Sequence, residues 1–132
     1  MEIELTKDQI LSGDFEKGKR YVYEGDLDLS DTQTTKLPDN LRVGGDLVIK
    51  WIPIASLPEK LSVGGSLELW GTQISKLPDN LRVGRDLKLS LTQIKELSEK
   101  LSVGGDLHLW NTQITKLPDS SRVKGAVYWE IG

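Results

Sequence analysis

Apolar positions recur along this chain with a step of 20 residues. Leu37, Leu57, Leu77, Leu97 and Leu117 form one column, and Val43, Val63, Val83, Val103 and Val123 form another. Paired apolar positions lie between them: Leu27/Leu29, Leu47/Ile49, Leu67/Leu69, Leu87/Leu89, Leu107/Leu109 and Val127/Trp129. Around each pair the alternation, as in "SLELW" and "DLHLW", is that of a half-buried strand with two residues inward and three outward. A period of 20 is too short for a pair of helices. The pattern predicts a solenoid of about six coils with one short parallel β-strand per coil. The "LPDN" and "LPEK" segments form its corners, because proline cannot donate to a ladder and disfavours helix before it. Glycine pairs such as Gly44–Gly45 and Gly64–Gly65 are expected to make the tight turn into the next strand.

A solenoid exposes core at both ends and needs caps. Residues 1–16 read as the N-terminal cap and residues 17–132 as the solenoid, within one domain. Thr6 and Gln9 stand at capping-box spacing before Ile10 and Leu11, and Gly13 can end the turn, which predicts a short helix over 7–12. The first coil is degenerate, with Tyr21 and Tyr23 in the Leu and Val columns. At the far end Trp129 takes the inward column as an aromatic plug. The segment Ala126, Val127, Tyr128, Trp129 and Glu130 is expected to offer an unpaired strand edge, through which a second copy or a partner can pair.

Leu67, Leu69, Thr72, Ile74 and the Leu77–Pro78 corner, repeated along residues 25–118, resemble the leucine-rich repeat of the short bacterial kind. Threonine stands here at Thr32, Thr72, Thr92 and Thr112, and Ile52 once, where that family usually has asparagine. The "TQI…LP" units are also similar to repeats of bacterial and phage proteins without an assigned role. The resemblance implies binding more than catalysis. Some members of the family carry a cysteine-dependent ubiquitin-ligase domain; this chain has no cysteine, so that chemistry is excluded.

The lack of cysteine also excludes disulfides and thiolate metal sites. No apolar run approaches the roughly 18–20 residues of a membrane span, and the acidic start is unlike a signal peptide. A cytoplasmic protein, in a bacterium or a host cell, is the expectation. His108 is the sole histidine, so ordinary acid–base and metal sets lack a second member, and no enzyme activity, metal or cofactor is expected. The glycines after each valine open no helix bearing a phosphate-binding lysine. Asp26, Asp46, Asp86 and Asp106 form a column broken by Ser66, read as local bonding to turn amides. The threonines and Gln33, Gln73, Gln93 and Gln113 are expected to bond from coil to coil. A net charge of −3 argues against direct nucleic-acid binding.

What varies from coil to coil is the outward strand face. Its triplets are Asp26/Asp28/Ser30, Asp46/Val48/Lys50, Ser66/Glu68/Trp70, Asp86/Lys88/Ser90, Asp106/His108/Trp110 and Ala126/Tyr128/Glu130. Seven carboxylates against two lysines make this face more acidic than the whole. A constant scaffold with a varied face is how repeat proteins present binding surfaces. The expected partner is a protein with a basic surface, bound through Trp70, Trp110, Ser90, Glu68, Lys88, His108, Lys50, Tyr128 and Glu130. The chain would act as an inhibitor or adaptor, with a phage or mobile-element inhibitor of a host defence or nucleic-acid enzyme as a special case. A DNA mimic built on the carboxylate columns and a carbohydrate binder using the tryptophans are the alternatives. Trp70 and Trp110 share a column two coils apart, with backbones about 9–10 Å apart, which after allowing for ring thickness predicts a slot above Ser90 suited to one planar group.

Overall fold

The computed structural model describes residues 2–118 and 122–129, with Trp129 described by its backbone alone. The chain winds as a parallel β-solenoid. Strand β1 (Glu2–Glu4) and helix α1 (Lys7–Ser12) open it. Strands β2 (Arg20–Tyr23), β4 (Leu41–Val43), β6 (Ser62–Val63), β8 (Arg82–Val83), β10 (Ser102–Val103) and β12 (Arg122–Val123) stack in parallel behind β1 as sheet A. Strands β3 (Leu27–Asp28), β5 (Leu47–Lys50), β7 (Leu67–Trp70), β9 (Leu87–Ser90), β11 (Leu107–Trp110) and β13 (Val127–Trp129) stack as sheet B. The register advances by 20 residues per coil in both sheets: Val43 pairs with Val63, and Leu69 with Leu89.

Each coil therefore contributes two strands, one more than the pattern predicts. Sheet B is the strand that alternation revealed. The sheet A strands are two to four residues long, and β4, β6, β8 and β10 end against glycines, so they carry no alternation long enough to register. The third side of each coil, around the Leu-Pro corner, has no strand among the described residues.

Every inward column is filled. Leu47 and Ile49 from sheet B meet Leu41 and Val43 from sheet A, and Ile52, Ile54 and Leu57 close the third side, all buried. The set recurs one coil on as Leu67, Leu69, Leu61, Val63, Ile74 and Leu77, with buried Thr72 in the place of Ile52. Burying such side chains contributes about 1.5–3 kcal/mol each. No coil completes its core alone, since each column is sealed only by its neighbours in the stack.

The N-terminal helix is as read from sequence, while strand β1 ahead of it, paired with β2, is an addition to that reading. Thr6 is the N-cap, with the Gln9 N–H donating to Thr6 Oγ1 and the Thr6 N–H donating to Gln9 Oε1 at 2.7 Å. Gly13 ends α1 in the left-handed conformation, at φ 76°. The helix buries Ile10 against the first coil. Tyr21 and Tyr23 hold the Leu and Val columns of that coil, in register with Leu41 and Val43. Strand β13 is an edge of sheet B, as expected for the pairing segment; the plug role of the Trp129 side chain, and Glu130, lie outside the described residues.

Gly44–Gly45 and Gly64–Gly65 lie at the bends into the next strand, as expected, but without positive φ. They are required by close approach, since a Cβ on Gly64, Gly84 or Gly104 would strike the backbone carbonyl of the glycine one coil earlier. The threonines bond within their own coil and not between coils. Thr32 Oγ1 donates to the Leu29 carbonyl at 2.8 Å and Thr112 Oγ1 to that of Leu109 at 3.4 Å, while the Thr72 and Thr92 hydroxyls are buried without partners. A column that tolerates bare hydroxyls and the buried Ile52 is a core column.

Candidate functional site

The outer face of sheet B is assembled from columns set by strand register. One column comprises Asp26, Asp46, Ser66, Asp86 and Asp106. Each uses its side-chain oxygen to accept the backbone N–H of the next coil's member: Asp26 from Asp46, Asp46 from Ser66, Ser66 from Asp86, and Asp86 from Asp106, at 2.8–3.2 Å. Asp106 completes the series by accepting from Ala126 at 2.9 Å. These carboxylates are bonded to the following coil, not to turn amides of their own, and are a structural spine of the face.

Beside them runs the column Asp28, Val48, Glu68, Lys88, His108 and Tyr128. Hydrogen bonds from the Ser30 side chain and backbone N–H hold the Asp28 carboxyl below the usual carboxylate range, helped by the charges of Lys7 and Lys50. The His108 imidazole stacks on Tyr128, with centroids 4.7 Å apart and planes 12° from parallel. Its edge meets the Trp110 indole at 5.0 Å. Tyr128, half of it exposed, extends this aromatic group onto β13.

The third column places Lys50, Trp70, Ser90 and Trp110 side by side, as the sequence predicts. The open slot does not form. Ser90 is only 5% exposed, so its neighbours already cover the space above it. One side of Trp70 is also taken: the Lys50 ammonium lies 5.0 Å from its ring centroid and is held there by Glu68 at 3.6 Å. The Trp70 Nε1 is buried without a partner. Trp70 is thus mostly packing, whereas Trp110 stands 41% exposed.

A fourth column was missed by sequence reasoning. Trp51, Gly71, Leu91 and Asn111 follow the sheet B strands directly, Asp31 is their counterpart three residues past β3, and all adopt left-handed φ between 53° and 60°. Asp, Gly and Asn tolerate that conformation; for a bulky residue it costs on the order of 1–2 kcal/mol. Trp51 and Leu91 are also among the most exposed large side chains, at 58% and 49%. The Trp51 indole extends over Gly71, where any Cβ would run into the ring. The signal lay in the column itself: two large apolar residues occupy a position whose other members are turn formers.

Among the described residues, five large apolar side chains are exposed. Trp51, Leu91, Trp110 and Tyr128 lie on or directly beside sheet B, and only Leu11 lies elsewhere, on α1. On the opposite sheet the outward column carries Arg42, Arg82 and Arg122, with Arg42 paired to Glu2 at 3.0 Å. Comparison with family models, curated proteins and solved structures returns no match for this chain. No described helix is long and apolar enough to cross a membrane.

Proposed function

We propose that this solenoid is a non-catalytic binding module that occupies the surface of a partner protein through the outer face of sheet B. The observation that carries this reading is that four of the five exposed large apolar side chains among the described residues, Trp51, Leu91, Trp110 and Tyr128, group on one face. Exposed apolar groups rimmed by charge mark interaction surfaces, and tryptophan and tyrosine are favoured anchors. Strain held at Trp51 and Leu91 supports the same reading, because unfavourable backbone conformations persist where function requires them. The carboxylates around the apolar group suit a basic partner surface. Action as an inhibitor or adaptor inside a cell fits this architecture. The resemblance to short bacterial and phage repeats favours a mobile-element inhibitor of a host enzyme as the special case.

The same geometry weighs against a DNA mimic. Four aspartates of the face each commit an oxygen to a backbone amide, and the exposed area between them is aromatic, unlike a phosphate array. The test is capture from bacterial lysate with identification by mass spectrometry, wild type beside a Trp51→Ala/Trp110→Ala variant of unchanged circular dichroism. A protein retained by the wild type and lost from the variant is expected. Identical captured sets would overturn the reading. Pairing through the β13 edge is a separate proposal: a Val127→Pro chain should be monomeric by light scattering where the wild type is dimeric.

A further inference from the structure

We propose that Asp86, Asp106 and His108 form a binding site for a divalent transition cation of the zinc or nickel type. Each of the three offers a ligand atom within 4.8 Å of the other two. Register creates the cluster: His108 is on the outer face of β11, Asp106 lies two residues earlier, just ahead of that strand, and Asp86 stands one coil back in the same column as Asp106. Modest side-chain rotation brings such atoms to the roughly 2.0–2.2 Å metal–ligand distances of nitrogen and carboxylate donors.

A second observation sets this cluster apart from the other carboxylates of the face. The His108 Nδ1 is shut off from solvent and has no hydrogen-bond partner. A buried nitrogen in that condition is unfavourable unless something polar or cationic engages it. The imidazole also packs on Tyr128 and against Trp110, contacts that favour its present orientation while allowing a small rotation of the ring. Each carboxylate spends one oxygen, Oδ1, on a backbone N–H. That bond orients the group and leaves the second oxygen for a ligand, the arrangement by which outer contacts position metal-binding side chains.

One imidazole and two carboxylates favour borderline first-row cations over magnesium or calcium, which prefer all-oxygen shells. The two carboxylates balance the cation's charge. Lys88, in register with His108 on the adjacent strand, is the neighbouring cationic residue that opposes it.

The experiment is calorimetric titration of the full, untagged chain with Zn2+, beside Mg2+ and Ca2+. One saturable Zn2+ site is expected, weakened at least about tenfold by His108→Gln and by Asp86→Asn. Asparagine keeps the amide-accepting oxygen, so the second variant tests ligation without breaking the coil contact. Ni2+ should quench tryptophan fluorescence, and Trp110→Phe should remove most of that quenching. No saturable Zn2+ uptake, or uptake unaltered in both variants, would overturn the proposal. So would Mg2+ or Ca2+ binding as tight as Zn2+, which would assign the cation to carboxylates alone.

Discussion

Ser66 and Arg85 are matched exceptions on adjacent coils. Wherever the column of Gly45, Gly65, Gly105 and Gly125 holds glycine, the residue behind it is aspartate, and a Cβ would strike that aspartate's Oδ1. Arg85 is the one member of this column between coils with a side chain, and Ser66, one atom shorter, replaces the aspartate behind it. Ser66→Asp should therefore destabilise the protein by about 1–3 kcal/mol through overcrowding. Adding Arg85→Gly should restore much of that loss, giving a coupling of at least about 1 kcal/mol in a urea-denaturation double-mutant cycle. Additive effects would show that the two positions do not sense each other.

The aspartate spine separates charge from hydrogen bonding. Asp46 accepts the Ser66 N–H at 2.8 Å. Asp46→Ala leaves that amide without its acceptor and should cost about 1–2 kcal/mol. Asp46→Asn retains an acceptor oxygen and should cost clearly less. Equal losses in the two variants, measured by urea midpoint, would assign the effect to charge instead.

Leu91 is exposed and held at φ 53°, where Asn111 sits in the next coil. Leu91→Asn should raise stability by about 0.5–1 kcal/mol, because asparagine enters this conformation at lower cost. Partner binding should weaken in the same variant. A melting temperature that falls would show that Leu91 packs more than its exposure suggests.

Asp28 sets a pH dependence of known sign. Its folded-state carboxyl is held below the usual range, so its contribution is fully present above the ordinary carboxylate pKa. That contribution is lost as pH falls through the lowered folded value. The stability difference between wild type and Asp28→Ala should be constant near neutrality and shrink on acidification. A difference that grows toward low pH would reverse the assignment.

Much of this architecture was legible because a period of 20 repeats the same inward residues with little change. The Thr6–Gln9 box and Gly13 fixed the helix to its observed bounds for a local reason: each end has its own chemical signature. Sheet A was hidden because strands such as Ser62–Val63 are too short to alternate and abut glycines that read as turns. The site was half legible. Register placed Trp70, Ser90 and Trp110 together, but the cover over Ser90 depends on side-chain rotamers, which spacing does not encode. Trp51 and Leu91 escaped because they lie one residue past the alternating triplet, in a column defined by φ.

The carboxylate grip of each coil on the next has a direction, and that direction has a mechanical consequence. Asp26 holds the second coil, Asp46 the third, and so on toward Ala126, so a pull on the C-terminus strains the last grip first. Releasing one coil frees 20 residues, up to about 66–72 Å of contour. A chain stretched between its ends should lengthen in even steps of that size, like a tape drawn from a spool. The Ser66 clasp, at 3.2 Å, is the one member of the series without a carboxylate.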